Sequence, residues 1–205
     1  MYDISDAIPG GHIKPGTNLL VIGPPLAGKR ELGLDIVAAM TGEGNGAIIV
    51  TTKNTSPRLL EELEERDIDP DSIPLGIVDC VSKQQGVHDV VDSDFVRYTS
   101  SPTDMTGIGI HFSTFIGEFV TDRQLSQNLV LLDSLSSLLM YSNLETVFRF
   151  LHVFTGRIQS TNALGLYLIN ASTHHEKTIN TLKLLFDGLI LVSDNGDVEL
   201  VYDKF

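Results

Sequence analysis

The chain has 205 residues, 42% of them hydrophobic, and a formal net charge of −13 from 27 acidic and 14 basic side chains. That length and hydrophobic content suit one domain with a real core, predicted to span residues 1–205, and no apolar run approaches the roughly 18 residues that a membrane span needs. The acidity opposes a nucleic-acid backbone and weighs against DNA as a partner, while the single Cys80 excludes an internal disulfide.

Met1 to Asp6 carry neither a basic stretch nor a long apolar run. No secretory leader is predicted, and the cytoplasm is the expected compartment. Leu19–Ile22 is an apolar run that reads as a strand, and Glu31–Met40 reads as a helix. Between them lies Gly23-Pro24-Pro25-Leu26-Ala27-Gly28-Lys29-Arg30. Seven of its eight slots fit the phosphate-loop pattern G-x-x-x-x-G-K-[ST]. The eighth slot calls for a hydroxyl that ligates Mg²⁺ and holds Arg30 instead.

Ala47–Thr51 is the second predicted strand. Ser56-Pro57 then opens a helix, with Ser as the cap and Pro in the first turn, running through Leu59, Leu60 and Leu63 to Arg66. Asp67–Pro74 is turn-rich, and Leu75–Val78 is a third strand whose end, Asp79-Cys80, is expected to do no more than close it. Residues 83–103 are polar and irregular, with Asp92 and Asp94 in a solvated loop. Asp104 to Phe119 reads as a helix in spite of Gly107 and Gly109, and Asn128–Leu132 as a fourth strand. Leu144, Val147, Phe148, Leu151, Phe154 and Ile158 give one apolar helical face, predicted to be core. Gly165–Asn170 is a fifth strand, Thr178–Phe186 a short helix and Leu189–Val192 a sixth strand. Asn195-Gly196 turns the chain into Val198–Tyr202, a terminal hairpin.

Strands alternating with helices predict an α/β fold: a mostly parallel twisted sheet, helices on both faces, and the C-terminal hairpin. Ligands of such sheets sit beyond the carboxyl ends of the strands. Three of those ends carry candidate chemistry: the loop after Ile22, Thr51-Thr52-Lys53, and Asp133. In the loop, glycines let the backbone curl its N–H groups toward a phosphate, and the helix that follows adds its positive end. Lys29 supplies a point charge toward the β- and γ-phosphates. The candidate nucleotide-binding residues are therefore Gly23, Pro24, Pro25, Leu26, Ala27, Gly28, Lys29, Arg30 and Glu31, with Asp133. Arg30 cannot bind a cation. It either meets phosphate itself, replacing part of the metal's charge, or points into solvent; the first option predicts nucleotide binding less dependent on Mg²⁺. Asp133, closing an apolar strand about a hundred residues on, fits a Walker B carboxylate that holds Mg²⁺ directly or through water. The competing reading is a helix cap, for which Ser134, Ser136 and Ser137 supply hydroxyls. His174-His175-Glu176 follow the fifth strand, but adjacent residues do not share a face, so no joint metal site is expected. Ser172 or Thr173 of that loop is placed to reach phosphate.

Pro9-Gly10-Gly11-His12-Ile13-Lys14-Pro15-Gly16-Thr17-Asn18-Leu19-Leu20 resembles the lead-in to the phosphate loop in the RecA/RadA/KaiC group of ATPases. Asp133-Ser134-Leu135-Ser136 is similar to that group's Walker B ending, and Asp187-Gly188 before the late strand is similar too. Over roughly residues 5–202 the chain resembles small KaiC-like proteins of archaea, and its acidity and sparse Lys suit a salt-loving one. The resemblance implies a RecA-like P-loop domain, ATP as ligand with GTP left open, Mg²⁺ at Asp133, and homo-oligomers with nucleotide near a subunit boundary. It also implies a Glu at the end of the second strand that polarises the attacking water. Here that stretch is Val50-Thr51-Thr52-Lys53-Asn54-Thr55, with Lys53 at or beside the position and no carboxylate before Glu61. A charged Lys accepts no proton. With Arg30 and Lys53 both departing, the expectation is a nucleotide-binding regulatory or scaffold protein with weak or no hydrolysis, read out by an unidentified protein partner. The alternatives are a slow ATPase that recruits Glu31 or Asp133 as base, and a recombinase paralogue acting on DNA; the charge and the lack of a Lys/Arg-rich stripe oppose the latter.

Overall fold

The computed structural model describes residues 1–87 and 89–202; residue 88, inside the irregular stretch, and residues 203–205 at the end lie outside the described residues. The chain opens with a short antiparallel pair, β1 (Tyr2–Asp3) and β2 (His12–Ile13). Then follow β3 (Asn18–Gly23), α1 (Lys29–Gly42), β4 (Gly46–Thr51), α2 (Ser56–Glu64), β5 (Leu75–Asp79) and β6 (Val96–Tyr98). After these come α3 (Met105–Gly117), β7 (Asn128–Asp133), α4 (Leu135–Tyr141), α5 (Leu144–Ser160), β8 (Leu164–Asn170), α6 (Glu176–Lys183), β9 (Gly188–Val192) and β10 (Val198–Tyr202).

Eight strands form one sheet in the order β10-β9-β3-β8-β7-β4-β5-β6. Every pairing in it is parallel except the β9–β10 hairpin. Side chains alternate across a strand, and here each set meets its own helical layer. Leu19 and Val21, Ala47 and Ile49, and Leu129 and Leu131 face one cluster, which also holds Leu34 and Val37 of α1 and Leu59 and Leu63 of α2. Leu20 and Ile22, Ile48 and Val50, and Val130 and Leu132 face the other, with Phe112 and Phe115 of α3 and Leu151 and Phe154 of α5. The predicted apolar face of α5 is indeed core: Val147, Leu151, Phe154 and Ile158 are fully or almost fully buried. Phe154 stacks on Phe112 with ring centroids 4.6 Å apart.

The six predicted strands and the hairpin are present within a residue or two of their expected bounds. Three elements escape a sequence reading. The edge strand β6 lies inside the stretch expected to be irregular; it has only three residues, of which Val96 alone is buried, so no period shows. The β1–β2 pair is two residues long on each side, and its anchor is not a pattern but one side chain. The buried Tyr2 hydroxyl lies 3.1 Å and 2.8 Å from the Asn128 and Asn162 carbonyls and accepts from the Asn128 N–H at 2.9 Å. Helix α4 directly follows Asp133-Ser134, with Ser134 at the cap position but making no capping side-chain bond.

One cap differs in kind from its expectation. Ser56 is the first residue of α2 rather than its cap, with Pro57 in the first turn and Thr55 at the cap position without a capping side chain. The free N–H of Ser56 instead donates to Asp79 Oδ2 at 2.6 Å, so the end of β5 caps a helix from another part of the chain. Asp79 also accepts from the Val81 and Ser82 N–H groups at 2.8 and 2.9 Å and from Ser82 Oγ at 2.6 Å. Burial pushes this carboxyl up, and the bonds from Ser82, Ser56 and Val81 together outweigh it, leaving its pKa below the ordinary value. The next residue, Cys80, is wholly enclosed, and burial drives its thiol pKa up to about 12.

Candidate functional site

The carboxyl ends of β3, β4, β7 and β8 converge on one small cavity of about 110 Å³. Leu26, Gly28, Lys29, Arg30, Glu31, Lys53, Asp133 and Asn170 are among its lining residues. Of the predicted nucleotide-binding residues, Leu26, Gly28, Lys29, Arg30, Glu31 and Asp133 thus share a wall, and Gly23, Pro24, Pro25 and Ala27 form the loop that carries them.

Backbone constraints explain the glycines at both ends of the loop. A Cβ on Gly23 would lie 2.5 Å from the Val192 carbonyl of β9, so the strand leaves the sheet through a gap that admits no side chain. Gly28 holds φ at 85°, the left-handed region that glycine occupies without strain. Leu26 also sits at positive φ, 63°, and its side chain is fully exposed at the loop tip. Left-handed residues next to right-handed ones are the geometry of an anion-binding backbone nest, and α1 starts at Lys29 immediately afterwards.

Lys29 is buried and its ammonium donates to the Pro24 carbonyl, folding back across the loop. Burial lowers its pKa; Glu31 opposes that shift, Lys53 adds to it and Asp133 opposes it. A partly desolvated ammonium held by a single carbonyl gains from any anion that enters the loop.

Arg30 does not point into solvent but is turned onto carboxylates. Its Nε donates to Asp133 Oδ2 at 2.7 Å, and its guanidinium also pairs with Glu62 of α2. With its amide oxygen turned toward the arginine, Asn54 accepts from Nε and Nη2, both at 3.2 Å. The Arg30 side chain is 18% exposed and that of Asp133 7%. The arginine therefore lies across the floor of the site, on the carboxylate expected to hold Mg²⁺.

Asp133 is fixed by its backbone as well. Its carbonyl accepts from the Thr52 N–H at 2.7 Å and from Thr52 Oγ1 at 3.1 Å, and the Ser134 N–H donates back to Thr52 Oγ1 at 2.8 Å. Thr52 thus rivets the end of β4 to the end of β7, and Lys53 stands next to it, exposed, on the cavity wall. Ser172 and Thr173 fall in a short turn after β8 and line a neighbouring polar pocket with His174 and His175, not the loop cavity. His174 Nε2 is 3.0 Å from Ser136 Oγ, and burial lowers the pKa of its ring. Among the described residues no three His, Cys, Asp or Glu side chains are grouped to hold a metal ion.

Sequence reasoning missed Glu62 and Asn54. Glu62 lies four residues after Arg58 and four before Arg66, a spacing that reads as a solvated helical face; only the packing of α2 beside the loop turns it inward. A larger groove of about 860 Å³ runs between α3 and α5. Its two charged lining residues are already engaged, Arg149 with Glu145 and Arg157 with the Gly109 carbonyl and Ser113 Oγ.

Residues 16–192 match the model of a family described as a family of unknown function, DUF7504. No curated protein is similar to the chain in sequence. In fold it is similar to an uncharacterized protein of Pyrococcus horikoshii, PH0321, whose crystal structure is a complex with an unknown peptide. The TM-score is 0.70 at 13% identity, over 89% of this chain and 80% of that one. It is similar also to the KaiC-like protein PH0186 of Pyrococcus horikoshii OT3, with a TM-score of 0.63 at 13% identity over 98% of this chain and 82% of that one. The fold is KaiC-like. Among the described residues no helix is long and apolar enough to cross a membrane.

Proposed function

The chain belongs to the DUF7504 family, and from that premise and the geometry of its loop we propose that it is a nucleotide-binding regulatory or scaffold protein that hydrolyses ATP weakly or not at all. Residues 1–205 act as one RecA/KaiC-like domain, with phosphate received by the loop from Gly23 to Glu31. One observation carries the reading: the buried Lys29 is poised over a loop that turns through positive φ at Leu26 and Gly28, at the start of α1. The loop can bind phosphate, while the parts that cleave it are replaced. Hydrolysis needs a hydroxyl on the metal and a base or orienting group for water; by the resemblance, Arg30 takes the place of the first, and Lys53 lies at or beside the place of the second.

Such a protein works by population shift. Nucleotide stabilises one arrangement of the loop and of its neighbour α2, and a partner reads it. The peptide held by the Pyrococcus horikoshii structure supports a polypeptide as that partner, and the KaiC-like fold supports self-association. The base is left open between adenine and guanine.

Titration with a fluorescent ATP analogue tests the reading. Wild-type protein binds it saturably, and Lys29→Ala weakens binding by about tenfold or more, the loss of one charge-assisted contact to phosphate. Equal affinity in the two proteins would sink the loop as the site. Phosphate release that survives Lys29→Ala belongs to a contaminant.

A further inference from the structure

The fold implies Mg²⁺ beside the phosphates, and the donor set of this chain does not fit it. Mg²⁺ requires near-octahedral oxygen ligation at short range and in phosphate loops takes a Ser/Thr hydroxyl together with an acidic side chain. The hydroxyl is absent at Arg30, and the acidic oxygen, Asp133 Oδ2, already accepts from a guanidinium at 2.7 Å. We infer that this site takes a nucleoside phosphate free of divalent metal, with Arg30, clamped between Asp133 and Glu62, as its resident cation. The inference rests on the nucleotide-binding reading above and adds to it the ionic form of the ligand.

Three features support it. First, Arg30 is held on more than one side: Asp133 at the end of β7, Glu62 from α2, and the Asn54 oxygen. A planar guanidinium with five N–H donors suits several fixed acceptors at once, which an ammonium does not. Secondly, a metal at Asp133 would place a dication against that guanidinium. To admit it Arg30 would have to abandon two carboxylates in a mostly enclosed place, where losing charged partners is costly. Thirdly, the cavity wall brings three cations, Lys29, Arg30 and Lys53, against two carboxylates, Glu31 and Asp133, in a chain of net charge −13. That charge can stabilise the phosphate oxygens without an ion brought from solution. Glu62 has a further role in this arrangement. It ties the resident cation to α2, so phosphate drawing on Arg30 pulls directly on that helix.

The experiment is one titration run twice, with the fluorescent ATP analogue in excess Mg²⁺ and in excess EDTA, on wild type and on Arg30→Thr. Wild-type affinities are expected to agree within about twofold, because the hydroxyl ligand is absent and Asp133 Oδ2 is taken by Arg30. Arg30→Thr restores the hydroxyl and frees Asp133, so its affinity in Mg²⁺ should exceed that in EDTA by about tenfold or more. Wild-type binding that drops about tenfold in EDTA would overturn the inference while leaving nucleotide binding intact. No wild-type binding in either buffer would instead remove the nucleotide-binding reading and this inference with it. Should Arg30→Thr fail to fold, wild type and Asp133→Asn decide the matter: metal-independent binding in both supports the resident cation, and metal-dependent binding in wild type refutes it.

Discussion

Asp79 and Asp133 close the two strands that flank β4, and in register both pair with Thr51. Each ends an apolar run, and each carboxylate is buried. Their partners differ in kind. Asp79 is surrounded by neutral dipoles: the N–H groups of Ser56, Val81 and Ser82 and the Ser82 hydroxyl. Asp133 meets a full positive charge, Arg30. A carboxylate answered by local backbone donors is an internal fastening, since those donors have no other function. A carboxylate answered by a cation that also faces a cavity is part of a charge balance that a ligand can enter. The same strand ending serves architecture on one side of β4 and chemistry on the other.

The largest expected effect lies on the architectural side. Asp79→Ala leaves three backbone donors and a hydroxyl without their acceptor and uncaps α2. It should lower the unfolding free energy by about 3 kcal/mol or more, measured by denaturant titration; a loss below about 0.5 kcal/mol would erase the distinction between the two residues. The same substitution carries a pH signature. The folded-state pKa of Asp79 is depressed, so its stabilisation is complete above the unfolded value of about 4 and vanishes as pH falls through the lower folded value. Stability of wild type should therefore fall more steeply below pH of about 4 than that of Asp79→Ala. The smallest effect is on the other side. Asp133→Asn keeps an acceptor beside Arg30, and Glu62 keeps its ion pair, so stability should fall by about 1–2 kcal/mol, less than in Asp79→Ala. Affinity for the ATP analogue in Mg²⁺ should change by less than about threefold, where a metal ligand would lose far more.

Much of this was legible from residue order. Apolar runs such as Leu19–Ile22 and Asn128–Leu132 announce strands because a parallel sheet buries both faces, and the Gly28-Lys29 signature marks the loop because its geometry is local. What stayed hidden was non-local. Ser56 looks like a cap from its own sequence, yet its N–H is satisfied by Asp79, 23 residues away. Glu62 looks solvated, yet it reaches Arg30 once α2 packs beside the loop. Arg30 itself reads as a departure from the pattern with phosphate or solvent before it, and what turns it from solvent is a carboxylate 103 positions on, Asp133. Periodicity reports which face is buried and says little about which charge a buried charge will find.

Cys80 gives the molecule a clock. It is the only cysteine in the chain, sealed beneath α3 at the end of β5, with its thiol held protonated by a pKa raised to about 12. A thiol reagent at neutral pH reaches it only during openings of the sheet, so the labelling rate counts those openings. Any ligand that binds the closed form alone slows the count in proportion to its saturation, by the factor 1 + [L]/Kd. A single native side chain, on the strand next to β4 and outside the phosphate loop, thereby reports occupancy of that loop without substrate turnover or mutation.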